Sequence, residues 1–295
     1  MVILALLLAG VVGLQAVHEQ RGGPPAADSP SILYVRSPEA MRRLALSYDA
    51  LLADVYWIRA VQHFGSTRRS TEAANKTYDL LYPLLDLTTS LDPKFKIAYQ
   101  FGSLFLAEPA PGGPGREDLA IALLEKGLRA EPDNWEYMQA IGFVHYWWRK
   151  DYAEAADWFR RAAALPGAPV WMTSMAATVL AEGGRRDTSR VLWMEIARSE
   201  HEWFRSEAQR RIQQLDAMDQ IDQLQAAVNA YEQRTGMKAG SWDDLRRAGY
   251  LRGNPADPTG VAYRLESGVV SLGQESRLFP LPVHSGPSGP GPVAQ

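Results

Sequence analysis

Cysteine is absent from all 295 residues. That excludes disulfide frameworks, thiolate zinc sites, iron–sulfur clusters and thiol nucleophiles. An excess of one charge sign is missing too: 31 Lys and Arg stand against 34 Asp and Glu, a formal net charge of -3. Nucleic-acid readers neutralise phosphates with a basic surface, and this balance does not supply one. A polyacidic solvating chain is excluded by the same numbers. Histidine is scarce, and no two of His18, His63, His145, His201 and His284 are spaced to share a metal on one helix turn. His201-Glu202 opens like a zinc-protease helix, but Arg205 stands where the second histidine is required. Val269 occupies the place where a nucleophile elbow around Ser271 needs glycine. Gly112-Gly-Pro-Gly115 carries a proline where a phosphate cradle needs a free N–H. The sequence therefore leads to a non-enzymatic protein with no cofactor, no metal and no small-molecule substrate.

One long uncharged apolar run is present, Met1 to Val17, MVILALLLAGVVGLQAV. It is just long enough to cross a bilayer core and long for the centre of a signal peptide. No basic residue precedes it, the residues around Gln15-Ala16 make a poor cleavage site, and Val11 stands where a lipoprotein needs cysteine. An uncleaved anchor (1–17) is expected, with a cleaved signal and a buried core helix as alternatives. The body is expected on the outer side of a bacterial inner membrane. Arg21, Arg36, Arg42 and Arg43 after the span point the opposite way. Residues 18–38 read as a linker, because the Pro/Gly cluster of Gly22 to Pro30 cannot continue a helix.

Internal repetition dominates the middle of the chain. Ala120, Leu124 and Gly127 match Ala155, Phe159 and Ala162, each pair 35 residues apart. Ser189, Trp193 and Ile196 follow 34 further on, and Leu81, Leu85, Thr88 and Pro93 lie 39 before Ala120, Leu124, Gly127 and Pro132. This period signals stacked helix pairs. A small residue lets two helices approach closely, and a large one a turn later fills the space between pairs. Pro93 and Pro132 end their helices. Tyr99, Gly102 and Phe105, then Met138, Ile141 and Gly142, supply the partner helices.

These residues resemble tetratricopeptide repeats over about residues 45–215. The copy from Trp135 carries Ile141-Gly142, Ala155, Phe159 and Ala162; the copy from Phe95 carries Phe101-Gly102, Phe105, Ala120 and Pro132. Flanking copies depart from the pattern, with Leu81 and Ser189 at the alanine position. Glu108 to Gly115 adds a Pro/Gly insertion within one pair. The resemblance implies a mainly α fold, an α-solenoid of antiparallel helix pairs over 39–215, with a groove that binds a peptide or a partner's helix. By their place in each first helix, the groove residues would be Lys96, Tyr99, Ser103, Glu136, Gln139, Phe143, Tyr146 and Trp147, joined by Trp171, Ser174 and Thr178. For Phe143 and Trp147 a core role competes with this one.

Past Leu215 the pattern changes. Ile221, Leu224, Ala227, Val228 and Tyr231 give one apolar face to a helix over about 205–235. Ser241 to Asp244 reads as a capping start. Ala262–Leu265 and Val269–Leu272 read as strands joined through Ser267-Gly268. Together these make a small α+β unit over 216–278. Tyr231, Thr235-Gly236, Leu245, Gly249-Tyr250-Leu251, Asp257-Pro258, Gly260 and Tyr263 resemble the C-terminal region of type II secretion pseudopilins and pilins. No prepilin leader or pilin-type N-terminal helix heads this segment, so the resemblance implies a fold fragment or a module that docks near such machinery. Residues 279–295, rich in Pro, Gly and Ser, are expected to be disordered. The leading expectation is a membrane-tethered scaffold for a protein or peptide partner in a bacterial envelope assembly. An accessory subunit of a type IV pilus or type II secretion system is the alternative, and an enzyme with a site across the repeat groove is the third reading. The Asp216, Asp219 and Asp222 row reads as a solvated helix face or a contact for a basic partner.

Overall fold

The computed structural model describes residues 38–70 and 77–282. The anchor, the linker up to residue 37 and the last part of the tail lie outside the described residues. Among the described residues no helix is long and apolar enough to cross a membrane.

The chain is mainly helical. In order it forms α1 (Pro38–Leu44), α2 (Asp49–Arg69), α3 (Leu81–Leu91), α4 (Lys96–Ala107), α5 (Glu117–Ala130), α6 (Trp135–Val144), α7 (Tyr152–Ala163), α8 (Trp171–Glu182) and α9 (Arg186–Ile196). A long helix α10 (Glu202–Thr235) follows, then α11 (Trp242–Arg247) and the strands β1 (Arg264–Glu266) and β2 (Val269–Ser271). Consecutive helices pack on one another from α2 to α10, and α4 also meets α6 while α3 meets α5.

The repeated small and large positions account for this packing. Ala120, Leu124, Ala155, Phe159, Ala162, Ser189 and Trp193 are all buried, as are Leu81, Leu85 and Thr88 in the earliest copy. Pro93 and Pro132 lie just beyond the ends of α3 and α5. Gly142 shows why a small residue is needed. A Cβ there would lie 2.6 Å from the Phe159 ring, closer than a real Cβ contact allows. Helix starts are fixed by side chains where the sequence supplies them: Asn134 accepts from the Glu136 N–H and Asp151 from the Glu154 N–H, both at 3.1 Å.

α6 does not end as a plain α-helix. It runs into one π turn, His145–Arg149, closed by Lys150 at φ 54. Such a widened turn is frequent where a helix is adapted to a site.

α10 joins the helix pairs to the C-terminal unit. Its first half packs through Ala208 and Leu215 with Trp193. Its second half supplies Leu224, Val228 and Tyr231 to a separate core with Leu245, Tyr263, Val270 and Leu272. The two strands pair antiparallel with Leu265 opposite Val270. Ser267 at φ 52 and Gly268 at φ 83 make the two-residue turn between them, the conformation that a tight hairpin of this twist requires. The turn lies where it was expected, but the strands are shorter and β1 starts two residues later, at Arg264, while Ala262 makes only an isolated bridge to Ala256.

Candidate interaction surface

The eleven groove positions divide into three groups. Tyr99 and Ser103 are buried and are corrections to the expected groove. Tyr99 packs at 5.1 Å from the Tyr137 ring and against Gly127, where a Cβ would meet both rings. Burial pushes the Tyr99 phenol up to about 12; its hydrogen bond to Thr89 opposes the rise and nearby carboxylates add to it. Ser103 turns its hydroxyl onto the Gln100 carbonyl of its own helix at 2.7 Å. The reason is a rotation of α4. Its sequence, KIAYQFGSLFLA, is apolar nearly all round, so the position count alone did not say which arc faces the neighbouring helices.

Lys96, Glu136, Gln139, Ser174 and Thr178 are the polar positions, and the side chains of Lys96, Glu136 and Thr178 bond within the chain. Lys96 donates to Glu136 at 3.1 Å, and Gln100 donates to the other carboxylate oxygen at 2.7 Å. This ties α4 to α6 and cancels charge locally. Lys96 and Glu136 also border a shallow depression with Glu131, Asn134, Trp135 and Pro166. Thr178 donates to the Ser174 carbonyl at 2.9 Å, so that hydroxyl serves its own helix. Gln139, Ser174 and Thr178 are half-buried.

The aromatic group is Phe143, Tyr146, Trp147 and Trp171. Phe143 stacks on Trp147 with centroids 4.4 Å apart and meets Phe159 edge-on at 5.1 Å. It therefore belongs partly to the core. Trp147 and Trp171 keep 47% and 40% of their surface exposed. Tyr146 donates to Glu182 of α8 at 2.7 Å. Burial first, and the adjacent carboxylate second, push its phenol up to about 12. His145 is buried in the π turn with Nδ1 lacking a partner. Burial lowers its pKa, and Arg149 adds to the effect.

Sequence reasoning missed a larger feature. Leu51, Val55, Ile58 and Val61 of α2, and Ile97, Phe101 and Leu104 of α4, are all large apolar side chains between 39% and 60% exposed. They follow i, i+4, i+7 spacing on each helix. The signal was present in the sequence as an excess: both helices carry more apolar residues than one buried face needs.

The acidic row also changes meaning. Arg186 bridges Asp219 at 3.1 Å and Asp222 at 2.6 Å, and Arg190 bridges Asp216 at 3.0 Å and Asp219 at 2.6 Å. The basic partner of Asp216, Asp219 and Asp222 is α9 of the same chain. Among the described residues no group of three or more His, Asp or Glu is placed to hold a metal ion. Comparison with protein-family models, curated proteins and solved structures gives no match to this chain.

Proposed function

We propose that this chain is a scaffold of the tetratricopeptide type, an α-solenoid that binds a partner protein in a bacterial envelope assembly and is tethered to the membrane through Met1 to Val17. The observation that carries the reading is the unequal use of the helices. α2, α4 and α6 each bury one arc against their pair partners and leave apolar or aromatic side chains facing water, from Ile58 through Phe101 to Trp147. Contiguous exposed apolar surface of this kind marks an interaction site. The contact of α4 with α6 through Lys96, Gln100 and Glu136 supports the stacked arrangement.

The test is quantitative crosslinking of the full chain in native membranes, comparing wild type with a Phe101→Ala, Trp147→Ala double variant. One protein captured in fixed ratio by wild type and lost by the variant is expected. Equal capture by both, or a catalytic turnover that depends on a residue of this face, would overturn the reading. A second reading draws on the C-terminal unit. The order of long helix, short capped helix, Asp257-Pro258 turn and hairpin supports a module that docks on pilus or type II secretion machinery. Loss of the captured partner on removing residues 236–282, with the double variant unaffected, would favour it.

A further inference from the structure

α2 has two faces. Ala53, Tyr56, Ala60, Phe64 and Thr67 are buried against the rest of the stack. On the opposite side Tyr48, Leu51, Val55, Ile58 and Gln62 recur at alternating steps of three and four residues, and all five are exposed, Tyr48 by 68% and Leu51 by 60%. This is the heptad spacing with which two helices keep one seam in contact. We propose that α2 pairs with α2 of a second copy of this chain, parallel and in register, as a two-stranded coiled coil about two heptads long. The pairing goes beyond the scaffold reading, since it occupies α2 and leaves α4 and α6 to the partner protein. It draws on that reading only for the shared membrane.

The charges along the seam choose the occupant. Asp54 borders it on one edge and Arg59, five residues later, on the other. In a parallel pair these are the two positions that face each other across the seam, so each copy's Asp54 meets the other copy's Arg59, twice by symmetry. In an antiparallel pair like edges meet, and Asp54 would face Val61 while Arg59 faced Leu52. Among the described residues Asp54 and Arg59 enter no ion pair within the chain, and Arg59 lies over its own Tyr56 ring, 5.6 Å from the centroid. Spacing alone does not give this match. Ile97, Phe101 and Leu104 of α4 repeat the steps, but the corresponding edge positions there are Gln100 and Phe105.

Area and geometry agree. A specific interface covers about 800 Å² on each side. Tyr48, Leu51, Val55, Ile58 and Val61, with the edge residues Asp54 and Arg59, offer exposed surface of that order. α2 is already held as a helix by its packing on α3 and by the contacts of Trp57 and Phe64 with Phe105 of α4. Pairing therefore does not have to form the helix, the cost that makes short isolated helices marginal. With α3 and α4 on its other sides, α2 has room for one further helix. A parallel pair also sets both N-termini on one side, as two chains tethered to one membrane through Met1 to Val17 require, and tethering raises their effective concentration.

The absence of cysteine allows a direct test. Leu51→Cys, Gln62→Cys and, on α9, Met194→Cys are made singly in the full chain and oxidised in whole cells with copper-phenanthroline. In a parallel pair residue 51 lies opposite 51 and 62 opposite 62, so each of the first two should give a disulfide-linked dimer, and Met194→Cys at least tenfold less. With Gln62→Cys present, Asp54→Arg or Arg59→Asp should each lower the yield about fivefold, because like charges then face each other. Coexpressing these two variants should restore it, since one chain then supplies both cations and the other both carboxylates. That recovery also establishes that both variants fold.

Disulfides that form only when Leu51→Cys and Gln62→Cys are mixed would make the pair antiparallel and overturn the proposal. No disulfide at either position overturns it, as does an equal yield from Met194→Cys, the mark of random collision. Charge reversals without effect, or without recovery on coexpression, overturn it as well. Capture of a native partner through Trp147 is measured on its own, so the scaffold reading is judged separately.

Discussion

The helix pairs and the C-terminal unit are held by different means. From α3 to α8 the closest crossings are apolar, with polar ties such as Lys96 to Glu136 and Tyr146 to Glu182 beside them. Gly142 lies under the Phe159 ring, Gly127 between Tyr99 and Tyr137, and Gly102 against Leu85 and Leu123. The C-terminal unit is pinned by polar side chains that reach backbone groups. Gln214 donates to the carbonyls of Leu278 and Pro280 at 2.7 and 2.8 Å. Gln225 accepts from Val270 N–H at 2.9 Å and donates to the Gly268 carbonyl at 2.8 Å. Trp242 donates to the Tyr263 carbonyl at 2.9 Å. Asp257 accepts from Thr259 and Val261 and from the Ser276 hydroxyl. Two three-residue strands have too little ladder to set their own register, so side chains of α10 set it. A helix stack has no such need, and what limits it is how near two backbones can come.

The largest effect that would break this comparison is in the stack. Gly142→Trp and Ala155→Trp should each unfold it, since overpacking a close crossing costs roughly 1–3 kcal/mol or more and neither site has room for a ring. Thermal melting by circular dichroism is the measurement. Unchanged melting of both would mean that α6 and α7 do not approach this closely.

A smaller and local effect is expected from Gln214→Leu. It leaves two carbonyls without their donor, on the order of 1–3 kcal/mol for a buried group left unsatisfied. The loss should stay in the C-terminal unit: faster amide exchange over 263–278, with exchange in α4 to α7 unchanged. Uniform loss of protection would show that the two regions unfold as one.

Much of the helix arrangement was legible because its rule is one of spacing. Ala155, Phe159 and Ala162 repeat Ala120, Leu124 and Gly127, and burial of all six follows from their size and period. The candidate surface was less legible. Tyr99 was assigned to solvent by its place in a repeat, but α4 has apolar residues on every arc, and only the positions of α2, α5 and α6 decide which arc is covered. The acidic row was visible, yet its arginines are 26 to 36 residues away on another helix, a separation at which no local pattern reports pairing. The π turn was invisible for a similar reason: His145 to Arg149 has the composition of an ordinary helix, and the extra residue shows only in the hydrogen bonding.

The junction between the regions should give a smaller effect still. Arg186 and Arg190 are mostly covered, but Asp216, Asp219 and Asp222 are between 38% and 65% exposed, so screening by solvent limits each pair to about 0–1 kcal/mol. Arg190→Gln should therefore lower the melting temperature slightly, less at high salt. Burial raises the pKa of Asp219, but hydrogen bonds and charge from Arg190 and Arg186 outweigh it and hold the carboxyl below 3.8. A depressed carboxylate contributes stability above its unfolded value, and that contribution is lost as pH falls through the folded one. The Asp219 contribution should thus persist at pH 5 and be lost only below 3.8. Arg190→Gln should shrink that acid step, leaving the part held by Arg186, without moving the neutral-pH melt by more than a few degrees.

The smallest effect, and the one that sharpens the comparison most, is the response of the helix stack to mild acid. Its described histidines of restricted exposure are half-buried His63 on α2 and buried His145 in the π turn. Burial lowers both below 6.5. Asp79 opposes the shift at His63, while Arg149 adds to it at His145 and Glu154 and Asp151 oppose it. The unfolded chain then takes up a proton near 6.5 that the folded chain refuses until lower pH, so stability falls as pH drops below 6.5. The C-terminal unit has no described histidine and should not respond in this range. Melting followed from pH 7.5 to 5.5 should show a shallow decline in the stack alone, reduced in His145→Leu and removed when His63→Leu is added. A decline that survives in the double variant would assign the mild-acid response to groups other than these two rings, and the contrast between an apolar stack and a polar-pinned unit would lose its clearest solution signature.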